Sequence, residues 1–189
     1  MALGVLALQG DFAAHAAVLR GLGEEVVEVR RVADLQGLAG LAIPGGESTA
    51  LLRLMRGEPW FDALRAFHAR GGALFGTCAG AILLARDGGG TPPTLGLLDV
   101  AVQRNAYGRQ VDSCARSLTV EGREGFRGVF IRAPRLVELG PRVHVLARAG
   151  ADPVAIEAPG LLATTFHPEL TEDPWFHAHF LTRSFQAER

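Results

Sequence analysis

The sequence predicts a three-layer α/β fold: a mostly parallel central sheet, helices on both faces and a small antiparallel addition. Three observations carry this expectation. Short apolar runs alternate with helically spaced segments through the first half of the chain, the pattern of a parallel sheet with helical crossovers. From residue 99 to residue 165 strand-like runs follow one another across Gly/Pro turns, which reads as antiparallel strands. Finally, four separate segments, at Gln9-Gly10, Pro44-Gly45-Gly46, Cys78 and His167, each follow a predicted strand. They therefore converge on the carboxyl edge of the sheet, where open α/β sheets keep their sites.

The elements follow in order. Residues 3–8 form a strand, and Phe12, Ala16, Leu19 and Leu22 recur with helical spacing over residues 12–22. Strands are predicted at 26–29 and 41–43, and a helix opens over 51–55. Residues 60–69 are helical, with Phe61, Leu64, Phe67 and His68 on one side, and 73–75 is a strand running into a sharp turn. The runs 100–102, 118–120, 129–131, 143–147, 154–156 and 161–164 read as strands, the last returning to the main sheet. Residues 174–185 form a closing helix. Neither repeats nor a linker interrupt the pattern, so one domain is expected over residues 1–189. Gly88-Gly89-Gly90-Thr91-Pro92-Pro93 reads as a surface loop rather than a phosphate cradle, because no G-x-G-x-x-G follows a strand there.

Composition narrows the function. A chain of 189 residues supports one substantial core, and 48% apolar with 21% charged residues is ordinary for a soluble globular domain. A net charge of -1 gives no electrostatic case for nucleic acid or an anionic membrane. No apolar run approaches a membrane span. The first eight residues lack the basic lead and cleavage site of a signal peptide and read as a first strand. Two cysteines make no disulfide framework, so both are expected reduced, in the cytoplasm. All 19 basic residues are arginines. Without lysine there is no Walker amine for nucleotide phosphates and no side-chain amine for a Schiff base.

Three motifs carry chemistry. Gly76-Thr77-Cys78-Ala79-Gly80 joins a predicted strand to a predicted helix. It is a nucleophile elbow with sulfur in place of oxygen, and its glycines keep side chains away from a strained turn. The helix behind it points a partial positive charge at the thiol, favouring thiolate. A small buried cysteine in a tight turn fits the same pattern. In Phe166-His167-Pro168-Glu169, residues two apart face the same way. His167 can then meet Cys78 while Glu169 orients its ring, the logic of a Cys-His-acid triad. A loop histidine and a helix-starting acid are the alternative. Pro44-Gly45-Gly46-Glu47-Ser48 can turn a backbone N–H toward a bound oxyanion, with the Ala79 N–H as second donor. It can equally cap the next helix through Glu47 or Ser48.

Together, Pro44-Gly45-Gly46-Glu47-Ser48-Thr49, the Cys78 elbow and His167-Pro168-Glu169 resemble the class I triad glutamine amidotransferases. Leu8-Gln9-Gly10, Arg104-Asn105-Ala106-Tyr107-Gly108-Arg109-Gln110-Val111-Asp112-Ser113, Phe130-Ile131-Arg132-Ala133-Pro134 and Phe166-His167-Pro168-Glu169-Leu170-Thr171 narrow this. They resemble the glutaminase subunit of pyridoxal 5′-phosphate synthase, the PdxT/SNO family, from about residue 3 to about residue 181. The resemblance implies a flavodoxin-like amidotransferase fold. It implies hydrolysis of L-glutamine to glutamate and ammonia by Cys78, His167 and Glu169 through a γ-glutamyl thioester. Gly46, Glu47, Ser48, Arg104, Ile131 and Arg132 match the family's glutamine-binding positions, and Gln9 and Gly10 lie near the oxyanion loop. It implies no cofactor and no metal, and a partner, the barrel-shaped synthase subunit that takes up the ammonia. A different small triad amidotransferase, a stand-alone amide hydrolase, or a non-enzymatic module with a reactive cysteine are the competing readings.

Remaining candidates are weaker. Cys114 has no glycine flank and reads as packing or partly exposed. His15, His68 and His144 read as surface or helix-side residues, and His177 and His179 diverge on a helix, which disfavours a metal site.

Overall fold

Period-2 alternation along the first strands feeds two separate cores. In β3 (Leu38–Ile43), Leu41 and Ile43 enter one apolar cluster and Ala42 enters the other. In β4 (Ala73–Thr77), Leu74 enters the first while Ala73 and Phe75 enter the second. A strand buried on both faces is the mark of a sheet sandwiched between helices. The computed structural model describes residues 2–90, 93–104 and 113–184. Part of the Arg104–Ser113 motif, residues 105–112, and two positions of the glycine-proline loop, Thr91 and Pro92, lie outside the described residues.

Helices cover both faces. α1 (Phe12–Gly21) and α5 (Trp175–Ser184) bring Ala16, Leu19, Phe176 and Phe180 to the cluster that holds Phe75. α2 (Ser48–Leu54), α3 (Trp60–Ala69) and α4 (Ala79–Leu84) bring Leu51, Trp60, Leu64, Phe67 and Leu83 to the cluster that holds Leu74.

The remaining strands are β1 (Ala2–Leu6), β2 (Val26–Val29), β5 (Ala85–Asp87), β6 (Leu98–Gln103), β7 (Ser113–Val120), β8 (Arg123–Ile131), β9 (Arg135–Val137), β10 (His144–Ala149), β11 (Asp152–Ala158) and β12 (Leu161–Thr164). Among the described residues the main sheet has nine strands in the order β2-β1-β3-β4-β12-β11-β10-β7-β8. The first five are parallel, in the doubly wound order expected of a flavodoxin-like sheet. β11, β10, β7 and β8 continue it antiparallel. β12 is thus the strand that returns from the antiparallel region, and it lies beside β4 in the register Leu161↔Leu74 to Thr164↔Thr77.

One local feature sets where the elbow helix stops, and a second differs from expectation. The helix after the elbow ends at Leu84, because Ala85 turns extended and pairs with Leu98 instead. β6, read as one of the antiparallel strands, leaves the main sheet and forms a three-stranded sheet with β5 and the short β9. Among the described residues no helix is long and apolar enough to cross a membrane.

Candidate active site

The elbow is strained where the sequence places the strain. Cys78 has φ 48 and ψ -101, a left-handed conformation that a side chain adopts only when its surroundings hold it there. Its N–H donates to the Thr164 carbonyl at 2.8 Å, which ties the turn to β12. The flanking glycines permit close packing. A Cβ on Gly80 would fall 2.1 Å from the Ile43 carbonyl oxygen, and one on Gly76 would fall 2.6 Å from Gly80 backbone atoms. Ala79 opens α4, so its N–H has no partner within the helix.

β12 delivers His167 and Glu169 to the same edge. Both are buried, and His167 Nδ1 lies 2.7 Å from Glu169 Oε1. The imidazole lies against the elbow: a Cβ on Gly45 would sit 2.4 Å from His167 Cε1 and 3.1 Å from Cys78 Cβ. Burial disfavours an imidazolium here. The hydrogen bonds and charges of Cys78 and Glu169 outweigh that cost and raise the His167 pKa to about 10. Burial likewise opposes the Glu169 anion, but hydrogen bonds from His15 and His167 hold its carboxyl well below the usual range.

The glycine loop after β3 is clamped by the segment after β1. Gln9 Oε1 accepts from the Glu47 N–H at 3.1 Å, and Gln9 Nε2 donates to the Gly45 carbonyl at 3.5 Å. Gly46 adopts φ +134 directly beneath that amide, where a Cβ would fall 2.3 Å from Gln9 Oε1. Glu47 caps α2, its carboxylate accepting from the N–H groups of Thr49 and Ala50 at 2.9 and 2.7 Å. The capping reading of this loop is therefore realised, and it coexists with a place at the site.

A cavity of about 210 Å³ opens over Cys78. Gly46, Glu47, Ser48, Ala79, Arg104, Ile131, Arg132 and His167 line it, joined by Asp11, Ile82 and Pro134. Every position carried over for glutamine binding thus faces one space. Arg104 donates to Ser48 Oγ at 2.8 Å, and Cys78 Sγ approaches the Ile131 carbonyl at 3.8 Å. Arg132 holds φ 44, a second strained residue at the rim.

Two residues, His15 and His177, escaped the sequence reading. His15, read as surface or helix-side, is fully buried on α1. Its Nε2 is 3.3 Å from Glu169 Oε2 and 3.2 Å from Thr77 Oγ1, and its Nδ1 is 2.9 Å from His177 Nε2. Burial, with help from the neighbouring His15, lowers the His177 pKa to about 3. The signal was present: His15 lies three residues after Phe12, on the stripe that carries Ala16 and Leu19. His179 does diverge from His177, meeting Glu157 at 2.8 Å and stacking on Trp175. Cys114 is half-buried against the α1/α5-side core.

A cysteine elbow on a doubly wound sheet, with a His-Glu pair delivered by the neighbouring strand, fits the class I glutamine amidotransferase fold. The chain belongs to the SNO glutamine amidotransferase family, whose model matches residues 5–186. It is 55% identical over 182 residues to the pyridoxal 5′-phosphate synthase subunit PdxT of Thermus thermophilus, covering 95% of each chain. It is 52% identical over 188 residues to the subunit of the same name from Deinococcus radiodurans, covering 96% of each. A solved glutamine amidotransferase structure, 50% identical, superposes with a TM-score of 0.91 over 97% of this chain and 99% of the other. A structure of PurLQS from Thermotoga maritima shares the fold at a TM-score of 0.69 and 17% identity, covering 98% and 95%.

Proposed function

We propose that this chain hydrolyses L-glutamine to L-glutamate and ammonia and passes the ammonia to a synthase subunit that makes pyridoxal 5′-phosphate. The observation that carries the reading is the cavity over Cys78, into which all six positions matched for glutamine binding converge. Family membership supports it, and the absence of lysine means that imine chemistry on the sugar substrate belongs to another chain. We read residues 1–189 as a single glutaminase domain. The two free cysteines, Cys78 and Cys114, suit a reducing compartment, the cytoplasm.

The geometry supports the following chemistry. The Cys78 thiolate attacks the side-chain carboxamide carbon, and the carbonyl π electrons move to oxygen. The N–H groups of Gly46 and Ala79 receive that oxyanion. The His167 imidazolium gives its proton to the leaving nitrogen, the C–N bond breaks, and ammonia departs from a γ-glutamyl thioester. His167, now neutral, takes a proton from water as the oxygen attacks the thioester carbon. The C–S bond breaks, and glutamate leaves. Glu169 fixes the ring and offsets its charge. Arg104 meets the substrate α-carboxylate. Glu47 stands near the α-amine, its carboxylate oxygens retaining lone pairs beyond the two used in capping. Gln9 and Gly10 hold the oxyanion loop.

Glutamate release, measured with and without the synthase subunit, tests the reading. We expect weak turnover alone, clear activation by the partner, and none in Cys78→Ala under either condition. An active Cys78→Ala enzyme overturns the assignment. Equal turnover with and without the partner removes the coupling but leaves the hydrolysis.

A further inference from the structure

We propose that His15 is a positioning residue that ties the triad carboxylate to the oxyanion loop, through one ring nitrogen that faces both Glu169 and Thr77. The inference rests on the glutaminase reading for its catalytic meaning, but its geometry stands independently. Glu169 spends Oε1 on His167 at 2.7 Å, and its Oε2 is buried with His15 Nε2 as the near donor at 3.3 Å. The same Nε2 lies 3.2 Å from Thr77 Oγ1, and that oxygen accepts the Gly45 N–H at 2.9 Å. Thr77 immediately precedes the nucleophile, and Gly45 immediately precedes the oxyanion donor. A continuous path therefore runs from Gly45 through Thr77, His15 and Glu169 to His167, and of these only His167 lines the cavity.

The partners select the tautomer. With the proton on Nε2, His15 donates toward the carboxylate and accepts at Nδ1 from the His177 Nε2–H, 2.9 Å away. Two buried side-chain atoms among the described residues lack a hydrogen-bond partner, Glu169 Oε2 and His177 Nδ1; this tautomer turns a proton toward the first, 3.3 Å away, and leaves the second a lone pair. With the proton on Nδ1 instead, Glu169 Oε2 would face a lone pair and His177 would bury an unpaired N–H. The first arrangement is far cheaper. His177 thus orients His15, much as His15 orients Glu169. The lowered pKa of His177 keeps it neutral and in that role.

The consequence is electrostatic as well as geometric. A second donor keeps Glu169 anionic, and the anion keeps His167 able to hold the proton of the Cys78 ion pair. The titratable groups around this carboxylate are His15 from α1, His167, Cys78 from the elbow and His177 from α5. Asp11, from the turn before α1, brings a ligand-type atom within 4.8 Å of both His167 and Glu169. Removing the His15 donor makes Glu169 take up a proton at higher pH. The imidazolium then loses its counter-charge, and the thiolate forms only at higher pH.

The experiment uses the full chain. Iodoacetamide labelling of Cys78 is followed against pH by mass spectrometry, which needs neither glutamine nor partner, and glutaminase activity is measured with the synthase subunit present. In His15→Leu the acid edge of labelling should move up by about one pH unit, and kcat should fall roughly tenfold to hundredfold, the scale of one hydrogen bond to a charged group. KM for glutamine should stay within about twofold, because His15 touches no substrate. His15→Gln, which returns an N–H donor toward Glu169, should restore both the edge and most of kcat. A His15→Leu labelling profile that superimposes on wild type overturns the proposal. If His15→Leu does not fold, His15→Gln decides. A wild-type edge supports the role, and a displaced edge in a folded protein overturns it. A normal labelling shift with no glutamine turnover even in wild type would sink the glutaminase reading and leave His15's role intact.

Discussion

Replacing Gly10 by alanine tests whether the loop after β3 is held from behind. Gly10 sits at φ +80, and a Cβ there falls 1.8 Å from the Gly45 carbonyl oxygen and 3.0 Å from its carbon. Ordinary contact starts at 3.4 Å. The obstacle is backbone, so no rotamer change relieves it, and the Gly45 peptide must move by more than an ångström or Gly10 must abandon its conformation. The left-handed strain alone costs about 1–2 kcal/mol, a fall of roughly 2–8 °C in melting midpoint for a chain of this size. The catalytic loss is larger, because a misplacement of about 1 Å near a reacting centre costs on the order of a hundredfold. The assay is glutamate release with the synthase subunit at saturating glutamine, beside a thermal melt and iodoacetamide labelling of Cys78. We expect kcat to fall about a hundredfold while labelling falls far less, since Cys78 and His167 are carried at the ends of β4 and β12 rather than by this loop. Wild-type turnover in a folded Gly10→Ala protein would refute the claim that this contact sets the oxyanion loop.

The other expectations concern the triad, the loop and the acid limb of stability. A glutamine-like electrophile should label Cys78, and mass spectrometry finding label mainly on half-buried Cys114 would contradict the nucleophile assignment. His167→Asn should be near background, whereas Glu169→Gln keeps a small residual rate because it removes support rather than the proton carrier; full activity in His167→Asn would reveal another base. Gly46→Val should cripple partner-stimulated turnover while leaving the fold, since its Cβ meets the Gln9 amide at 2.3 Å; undiminished stimulation would show that Gly46 is not the oxyanion donor. For His177, the unfolded chain takes up a proton below pH 6.5 that the folded chain refuses until about pH 3. Stability is therefore lost as pH falls through that window. His177→Gln, which keeps a donor for His15 but cannot titrate, should lose less melting temperature between pH 6.5 and 3 than wild type, and parallel curves would argue against the buried neutral imidazole.

What the sequence disclosed was local chemistry at strand ends. Cys78 announces itself through two glycines, and each turns out to be forced by a close backbone approach. His167 and Glu169 are two apart on an extended segment, so their common direction needed no tertiary information. The alternating runs likewise made β1, β3, β4 and β12 readable. His15 and His177 were different. Each is a single residue on an amphipathic helix, and its role depends on how α1 and α5 dock over Phe75, with which both rings make edge contacts. No spacing rule connects positions 15, 77, 169 and 177. β9 was missed for a similar reason: three residues pair with β6 only because a separate small sheet exists to receive them.

The placement of β12 beside β4 has a consequence for the order in which this protein comes into being. β4 ends at Thr77, and the strand that must lie against it starts at Leu161. All of the antiparallel region is synthesised between them. A nascent chain therefore exposes its cysteine long before its histidine exists, and the elbow cannot receive its Thr164 hydrogen bond until the late strand slots in. On the proposed mechanism Cys78 is born disarmed, and its reactivity arrives with the insertion that completes the parallel half of the sheet. A ribosome-bound or prematurely terminated chain carries the Cys78 thiol without His167, so on the proposed mechanism it hydrolyses no glutamine.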